Sequence, residues 1–249
     1  MDLQKLLSHV RRAVDNYSMI TENDTIAVGI SGGKDSLTLL YALAHLKRFY
    51  PIPFCLTAIT IDLGFGNQNM KAIQEFCQFL DVPYVIEPTQ IADIVFQERK
   101  EKNPCSLCAK LRKGCLNTKI KEMGCNKVAY AHHSDDLIET MMLSLLYEGR
   151  FHTFAPVTYL DRSNLTVLRP LMYCSENEVK AFTRKYRLPV SKNLCPLDGY
   201  TKREEMKQLI QQLEEHNRGT KKRLFHALET GNIDGWPPMI TRTERYKNT

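Results

Sequence analysis

The sequence predicts an α/β fold: a parallel sheet with helices on both faces, extended by helical additions at the N- and C-termini. Three observations carry this. Short apolar runs rich in β-branched residues alternate with amphipathic stretches at the spacing of strand–helix units. The chain has 249 residues, 43% hydrophobic and 25% charged, enough to bury one large core or two small ones. No apolar run reaches the ~18 residues of a membrane span. Asp2, Lys5, Arg11 and Arg12 interrupt any secretory h-region, so the expected compartment is the cytoplasm, with no membrane association.

The elements follow in order. Leu3, Leu6, Leu7, Val10 and Val14 recur at helical spacing and predict an amphipathic helix over 3–16. Residues 25–30 (TIAVGI) read as a buried strand, 35–48 as a helix and 55–63 (CLTAITIDL) as a second strand. A helix over 69–80 leads to a third strand at 84–87. Residues 127–131 (KVAYA) make a fourth strand, followed by a helix over 135–147. A fifth strand is expected at 165–169, then helices over 176–186, 202–217 and 220–230. Residues 97–108 interrupt the core pattern, and from about Ser191 onward the chain reads as an appended helical tail. Such sheets bind ligands beyond the carboxyl ends of their strands, at a switch in strand order.

Charge is unevenly spread. The net charge is +6, and residues 99–127 hold nine Lys or Arg (Arg99, Lys100, Lys102, Lys110, Arg112, Lys113, Lys119, Lys121, Lys127) against Glu101 and Glu122. A second, mildly basic stretch runs over 201–226. Concentrated positive charge suits a polyanion such as nucleic acid, although a solvated lysine-rich helix face looks the same in sequence. Eight cysteines in a reducing compartment are not a disulfide framework.

Three motifs can carry chemistry. Ser31-Gly32-Gly33-Lys34-Asp35-Ser36 directly follows the first strand and opens a helix. Two glycines let the backbone approach an anion, and the helix start offers free N–H groups to it. Neither the Walker A pattern nor G-x-G-x-x-G is present. Asp35 among phosphate donors would repel phosphate unless a divalent cation bridges them, which points to Mg²⁺ with a polyphosphate. The plainer alternative is a Gly-Gly turn with an Asp at a helix start. The second motif, Ala131-His132-His133-Ser134-Asp135-Asp136, lies at the end of the fourth strand. Ser134 could act as an N-cap with the two carboxylates complementing the helix dipole. The third is Cys105-Ser-Leu-Cys108, with Cys195 far downstream in Asn-Leu-Cys-Pro. A lone C-x-x-C serves zinc, iron–sulfur and redox dithiols alike, and spacing does not identify a third ligand.

SGGKDS after an apolar strand resembles the PP-loop ATP pyrophosphatases, an adenine nucleotide α-hydrolase-like fold. Together with CSLCAKLRKG, GCNKVAYAHHSDDLIET, LRPLMYC and NLCP, it resembles the tRNA 2-thiocytidine synthetase (TtcA) family over about residues 24–207, and the ending GNIDGW resembles its shorter branch. The segment 147–156 lacks the extra glycine and lysines of the better-known branch.

The resemblance implies an N-terminal helix at 1–23 and an ATP-binding domain at 24–190 with a cysteine-pair insertion at about 97–122. A tail at 191–249 would carry the third cluster cysteine. It implies ATP, Mg²⁺ and a 4Fe–4S cluster held by Cys105, Cys108 and Cys195. Three ligands leave one iron open. Ser31, Gly32, Gly33, Lys34, Asp35 and Ser36 would hold the phosphates and Mg²⁺. Asp135 or Asp136 would assist with the metal, while Ile61, Asp62, Ala131 and His132 would line the nucleotide. Cys125 and Cys174 read as packing thiols and Cys115 as structural. The implied reaction is ATP-dependent thiolation of a tRNA base, cytidine at C2, with tRNA drawn to the basic segment 99–127. The sulfur donor would be a cysteine desulfurase or free sulfide, and a homodimer is possible. The alternatives are a PP-loop enzyme acting on a small molecule and a non-enzymatic ATP- and metal-binding RNA module.

Overall fold

The computed structural model describes residues 1–66, 69–98, 104–191, 202–231, 233 and 235–240. Six strands form one sheet: β1 (Asp24–Gly29), β2 (Phe54–Asp62), β3 (Tyr84–Pro88), β4 (Lys127–Ala129), β5 (Val157–Leu160) and β6 (Leu165–Leu168). Their spatial order is β3-β2-β1-β4-β6-β5, and every pairing is parallel except β5 with β6. The chain leaves β1 toward β2 on one side and returns with β4 on the other. The switch in strand order therefore falls between β1 and β4, the strands that precede the phosphate loop and the His–Asp motif.

Alternation along the strands divides the core in two. Ile26 and Val28 of β1 face one side with Leu56 and Ala58 of β2, under α1 (Leu3–Asn16), α2 (Lys34–Leu46) and α3 (Met70–Phe79). Ala27, Ile59 and Ile61 face the other, under α4 (Ile91–Asp93) and α5 (Pro104–Glu122). Helix α1 starts on Asp2, whose carboxylate accepts the Lys5 N–H at 2.8 Å. Its Leu6, Val10, Ala13 and Val14 are fully buried. The first face also receives α6 (Ser134–Leu143), α7 (Glu176–Lys185), α8 (Lys202–His216) and α9 (Thr220–Thr230).

Three features depart from the sequence reading. An edge strand, β5, runs antiparallel to β6. The helix expected over 135–147 ends at Leu143 and loosens into a π turn at Ser144–Glu148, closed by Gly149 in the left-handed conformation. Within the basic segment lies one 19-residue helix, α5, of which only Leu116 and Ile120 are buried. Among the described residues no helix is long and apolar enough to cross a membrane.

Candidate active site

The phosphate loop leaves the sheet abruptly. Ile30 still donates to Ile59 O at 2.7 Å, and two residues later Gly32 takes φ 78°. A Cβ at Gly32 would lie 3.1 Å from both Cβ and Oγ of Ser191, whose N–H donates to Gly32 O at 2.9 Å. Only glycine fits this position without strain. Gly33 is the extended N-cap of α2, and among the described residues no side chain caps the helix, which leaves its first N–H groups open toward an anion. Ser31 Oγ accepts the Gly33 N–H at 3.2 Å, and Ser36 Oγ donates to Gly33 O at 3.0 Å, folding the loop on itself.

Lys34 Nζ lies 2.9 Å from Asp35 Oδ2 and 3.4 Å from Glu176 Oε1 at the start of α7. Burial alone would lower the lysine pKa, but these two carboxylates raise it, so the amine stays protonated. Glu176 also pairs with Lys180 at 3.0 Å and Lys207 at 2.8 Å. Burial opposes its ionisation, yet hydrogen bonds from Lys207 and Lys180 and the nearby Lys34 hold its carboxyl down at about 2. Asp35 Oδ1 is different: it is buried and has no hydrogen-bond partner among the described residues. A carboxylate oxygen only accepts, so an orphaned one beside open helix N–H groups fits a divalent cation bridging to phosphate.

The second motif folds as a helix start, with His133 rather than Ser134 as the N-cap of α6. His133 Nδ1 accepts the Asp136 N–H at 3.3 Å, and Asp136 Oδ2 accepts the His133 N–H at 3.0 Å. Ser134 instead donates to Cys174 O at 2.9 Å. Both carboxylates are engaged. Asp135 Oδ2 accepts the Glu176 N–H at 2.7 Å, and its Oδ1 lies 2.8 Å from Lys221 Nζ on α9. Burial would raise the Asp135 pKa, but these bonds lower it. Asp136 Oδ1 lies 3.1 Å from Arg203 on α8. Arg203 also reaches Glu139, 3.6 Å away, whose buried carboxyl is pushed up to about 7 by burial and by Asp136.

The adjacent histidines diverge. His133 Nε2 lies 3.8 Å from Asp35 Oδ1, at the phosphate loop. His132 turns away and stacks on Phe154 with centroids 4.5 Å apart, its Nδ1 accepting from Arg169 Nε at 3.3 Å. Of the β2 residues, Ile61 is buried in the core under α4, and Asp62 Oδ1 accepts the Gly64 N–H at 3.0 Å in the turn after the strand. Ala131 packs against the first core.

Cys105 and Cys108 occupy the first turn of α5, Cys105 exposed and Cys108 half-buried. They stand three residues apart, on one side of the helix. Leu116 of α5 packs at the end of β1, 3.3 Å from where a Gly29 Cβ would be. The twelve residues before it, at about 1.5 Å each, carry the cysteine pair beyond the ligand edge of the sheet. Cys195 lies outside the described residues, and among those described no group of three or more His, Cys, Asp or Glu is arranged to hold a metal ion. Cys125 and Cys174 are buried in the two cores and Cys115 is half-buried.

The basic segment sorts into roles. Lys119 pairs with Glu87 at 2.8 Å and Lys127 with Asp24 at 2.6 Å, while Lys110, Lys113 and Lys121 are exposed. Arg99, Lys100 and Lys102 lie outside the described residues. The sequence reading missed Glu176, Arg203, Lys207, Lys221, Phe154 and Arg169. Arg203, Lys207 and Lys221 stood in the sequence as members of the basic stretch 201–226 and Arg169 within LRPLMYC, without a role, while Glu176 opens the Ser-Glu-Asn-Glu capping box.

A doubly wound sheet with a phosphate cradle at its switch point defines a nucleotide-handling α/β protein, and residues 4–213 match the PP-loop domain family model. The chain is 38% identical over 233 residues to a tRNA-cytidine(32) 2-sulfurtransferase of Geobacter sulfurreducens, covering 92% of this chain and 90% of the relative. A namesake from Citrifermentans bemidjiense is 38% identical over 90% of this chain and 89% of its own. The chain therefore belongs to the PP-loop domain family and, within it, to the family of these tRNA-cytidine 2-sulfurtransferases. In fold it is similar to the U34-tRNA thiolase NcsA of Methanococcus maripaludis, solved with its [4Fe-4S] cluster. The TM-score is 0.73 at 24% identity, covering 91% of this chain and 78% of that one. It is also similar to an NH3-dependent NAD synthetase of Campylobacter jejuni, with a TM-score of 0.52 at 18% identity, covering 97% of this chain and 100% of that one.

Proposed function

We propose that this protein is an ATP-dependent tRNA thiolase that replaces the C2 oxygen of a cytidine with sulfur. The observation that carries the reading is the pairing of an open phosphate loop with a cysteine pair held beyond the same sheet edge, in a chain 38% identical over nine-tenths of its length to tRNA-cytidine 2-sulfurtransferases.

The carbonyl oxygen at C2 is a poor leaving group. It attacks the α-phosphorus of ATP, the α–β bond breaks and pyrophosphate departs. Sulfide then adds at C2 and AMP leaves with the former carbonyl oxygen. The open N–H groups of α2 and the protonated Lys34 stabilise the charge that develops on pyrophosphate. Asp35 is the residue to hold Mg²⁺, through Oδ1. Asp135 and Asp136 would assist with the metal less directly, since both already tie α6 to its neighbours. The soft, accessible thiols of Cys105 and Cys108 suit an iron–sulfur cluster, with Cys195 as the third ligand. When bound, such a cluster supplies an iron with a free coordination position for sulfide. Lys110, Lys113 and Lys121 present positive charge to tRNA along α5.

The test is anaerobic turnover with Mg–ATP, sulfide and a tRNA transcript. One 2-thiocytidine should form for each AMP and pyrophosphate released. AMP release at the same rate without tRNA, with no thionucleoside formed, would instead support a small-molecule substrate.

A further inference from the structure

His132 occupies a place that the phosphate chemistry leaves unused. Its neighbour His133 reaches Asp35, while His132 faces the α5 side of the sheet edge. There its ring meets Tyr130 edge-on at 6.0 Å, and Arg112, one turn after Cys108 on α5, interacts electrostatically with both Tyr130 and Cys108. His132 is thus the sequence neighbour of a residue at the phosphate loop, and its ring partner Tyr130 shares Arg112 with Cys108 of the cysteine pair.

The ring is fixed in orientation and in chemistry. Phe154 stacks on it with an interplanar angle of 18°, and Arg169 Cζ lies 5.1 Å from the same phenyl centroid. Arg169 is itself anchored, its Nη1 donating to Ala155 O at 2.5 Å and to Thr158 Oγ1 at 3.1 Å. A guanidinium has no acceptor. Nδ1 of His132, which receives the Arg169 Nε–H at 3.3 Å, must therefore present its lone pair, and the neutral ring carries its proton on Nε2. Burial and the Arg169 charge push the imidazole down to about 4, so the ring is neutral at working pH. Its Nε2 makes no hydrogen bond among the described residues.

We infer that His132, its Nδ1 occupied by Arg169 so that Nε2–H is the group it offers, reads the N3 position of the target pyrimidine and selects cytosine over uracil. The inference rests on the thiolase reading. Cytosine N3 accepts a hydrogen bond, whereas uracil N3 carries a proton, and both bases offer the same C2 carbonyl to the chemistry. An Nε2–H donor pairs with the first and opposes the second. In this scheme His132 touches the base, and Arg169 is a positioning residue that acts through it.

Two measurements test this. Long-range ¹H–¹⁵N spectra of the full chain, with His132 assigned by its loss in His132→Gln, should give the Nε2–H pattern alone, and Arg169→Met should dilute it by admitting the Nδ1–H tautomer and the protonated ring. Competition between two tRNA transcripts that differ only in cytidine or uridine at the target should favour cytidine by about tenfold or more, the size of one good base contact. Arg169→Met should bring that ratio toward one without changing ATP affinity, and Arg169→Lys, which keeps a donor, should restore part of it. His132→Gln, whose amide presents either a donor or an acceptor, should also bring the ratio near one, and it carries the test if Arg169→Met does not fold. An Nδ1–H tautomer in the wild type, or folded variants that turn over with an unchanged ratio, would overturn the inference. A wild type that binds ATP and shows the Nε2–H pattern but thiolates neither transcript would overturn the thiolase reading, and base selection with it, leaving only the Arg169–His132 lock.

Discussion

Gly32→Ala separates the backbone of the phosphate loop from its side chains. At φ 78° an alanine pays the left-handed penalty, roughly 1–2 kcal/mol. Its methyl would meet Ser191 Cβ and Oγ at 3.1 Å, a contact that opens only if Ser191 moves by a few tenths of an ångström. The total is about 2 kcal/mol, and at ~2–4 °C per kcal/mol for a chain of this size the Tm should fall by about 4–8 °C. Adding Ser191→Gly relieves the contact but not the φ penalty, so the double variant should recover part of the loss. The shifted loop also misdirects the open N–H groups of α2, and ATP affinity should drop by more than about tenfold, in the range of one or two charge-assisted hydrogen bonds. Differential scanning fluorimetry and equilibrium dialysis read the two effects separately. An unchanged Tm would refute the strained-loop geometry. A lowered Tm with unchanged ATP affinity would refute the claim that this backbone carries the triphosphate.

Other consequences concern charge and metal. Glu139 has a folded pKa raised from 4.5 to about 7, so the native state keeps a proton that the unfolded chain has lost. Stability is unaffected by this group below about pH 4.5 and declines as pH rises to about 7. Glu139→Gln should therefore be more stable than wild type at pH 8, by on the order of 2–3 kcal/mol in urea unfolding, with the difference vanishing near pH 4. Equal differences at both pH values would contradict the raised pKa. Lys110→Glu with Lys113→Glu should weaken tRNA binding and flatten its salt dependence by about two counterions. Salt-independent wild-type binding would speak against the α5 surface. Anaerobically purified protein should hold about four iron atoms per chain, lost on replacing Cys105, Cys108 or Cys195 by Ala but not on Cys77→Ala. An active, iron-free protein with stoichiometric zinc would refute the cluster assignment.

What could be read from the sequence was what is local. β1, its SGGKDS loop and α2 are contiguous, so their order alone located the glycine loop between a strand end and a helix start. Strand β5 escaped because Val157–Leu160 is a half-exposed edge with no apolar alternation. Helix α5 escaped because lysines and cysteines break its periodicity and only Leu116 and Ile120 reach the core fully. The tail read as an appendage, yet Arg203, Lys207 and Lys221 insert their charges among Asp136, Glu176 and Asp135, contacts that join residues 31 to 86 positions apart. The two histidines were legible as a motif but not as a divergence. Which one meets Asp35 and which meets Arg169 depends on how the chain turns from β4 into the His133 cap of α6.

On this mechanism the chain puts sulfur on a tRNA cytidine by way of its phosphate loop. Mass spectrometry of nucleosides from the tRNA of cells lacking the protein tests it most directly. 2-Thiocytidine should be absent, should return with a wild-type copy, and should not return with Lys34→Ala or Asp35→Ala, although both variants accumulate as folded protein. Undiminished 2-thiocytidine in the deletion strain, or full restoration by either loop variant, would contradict it.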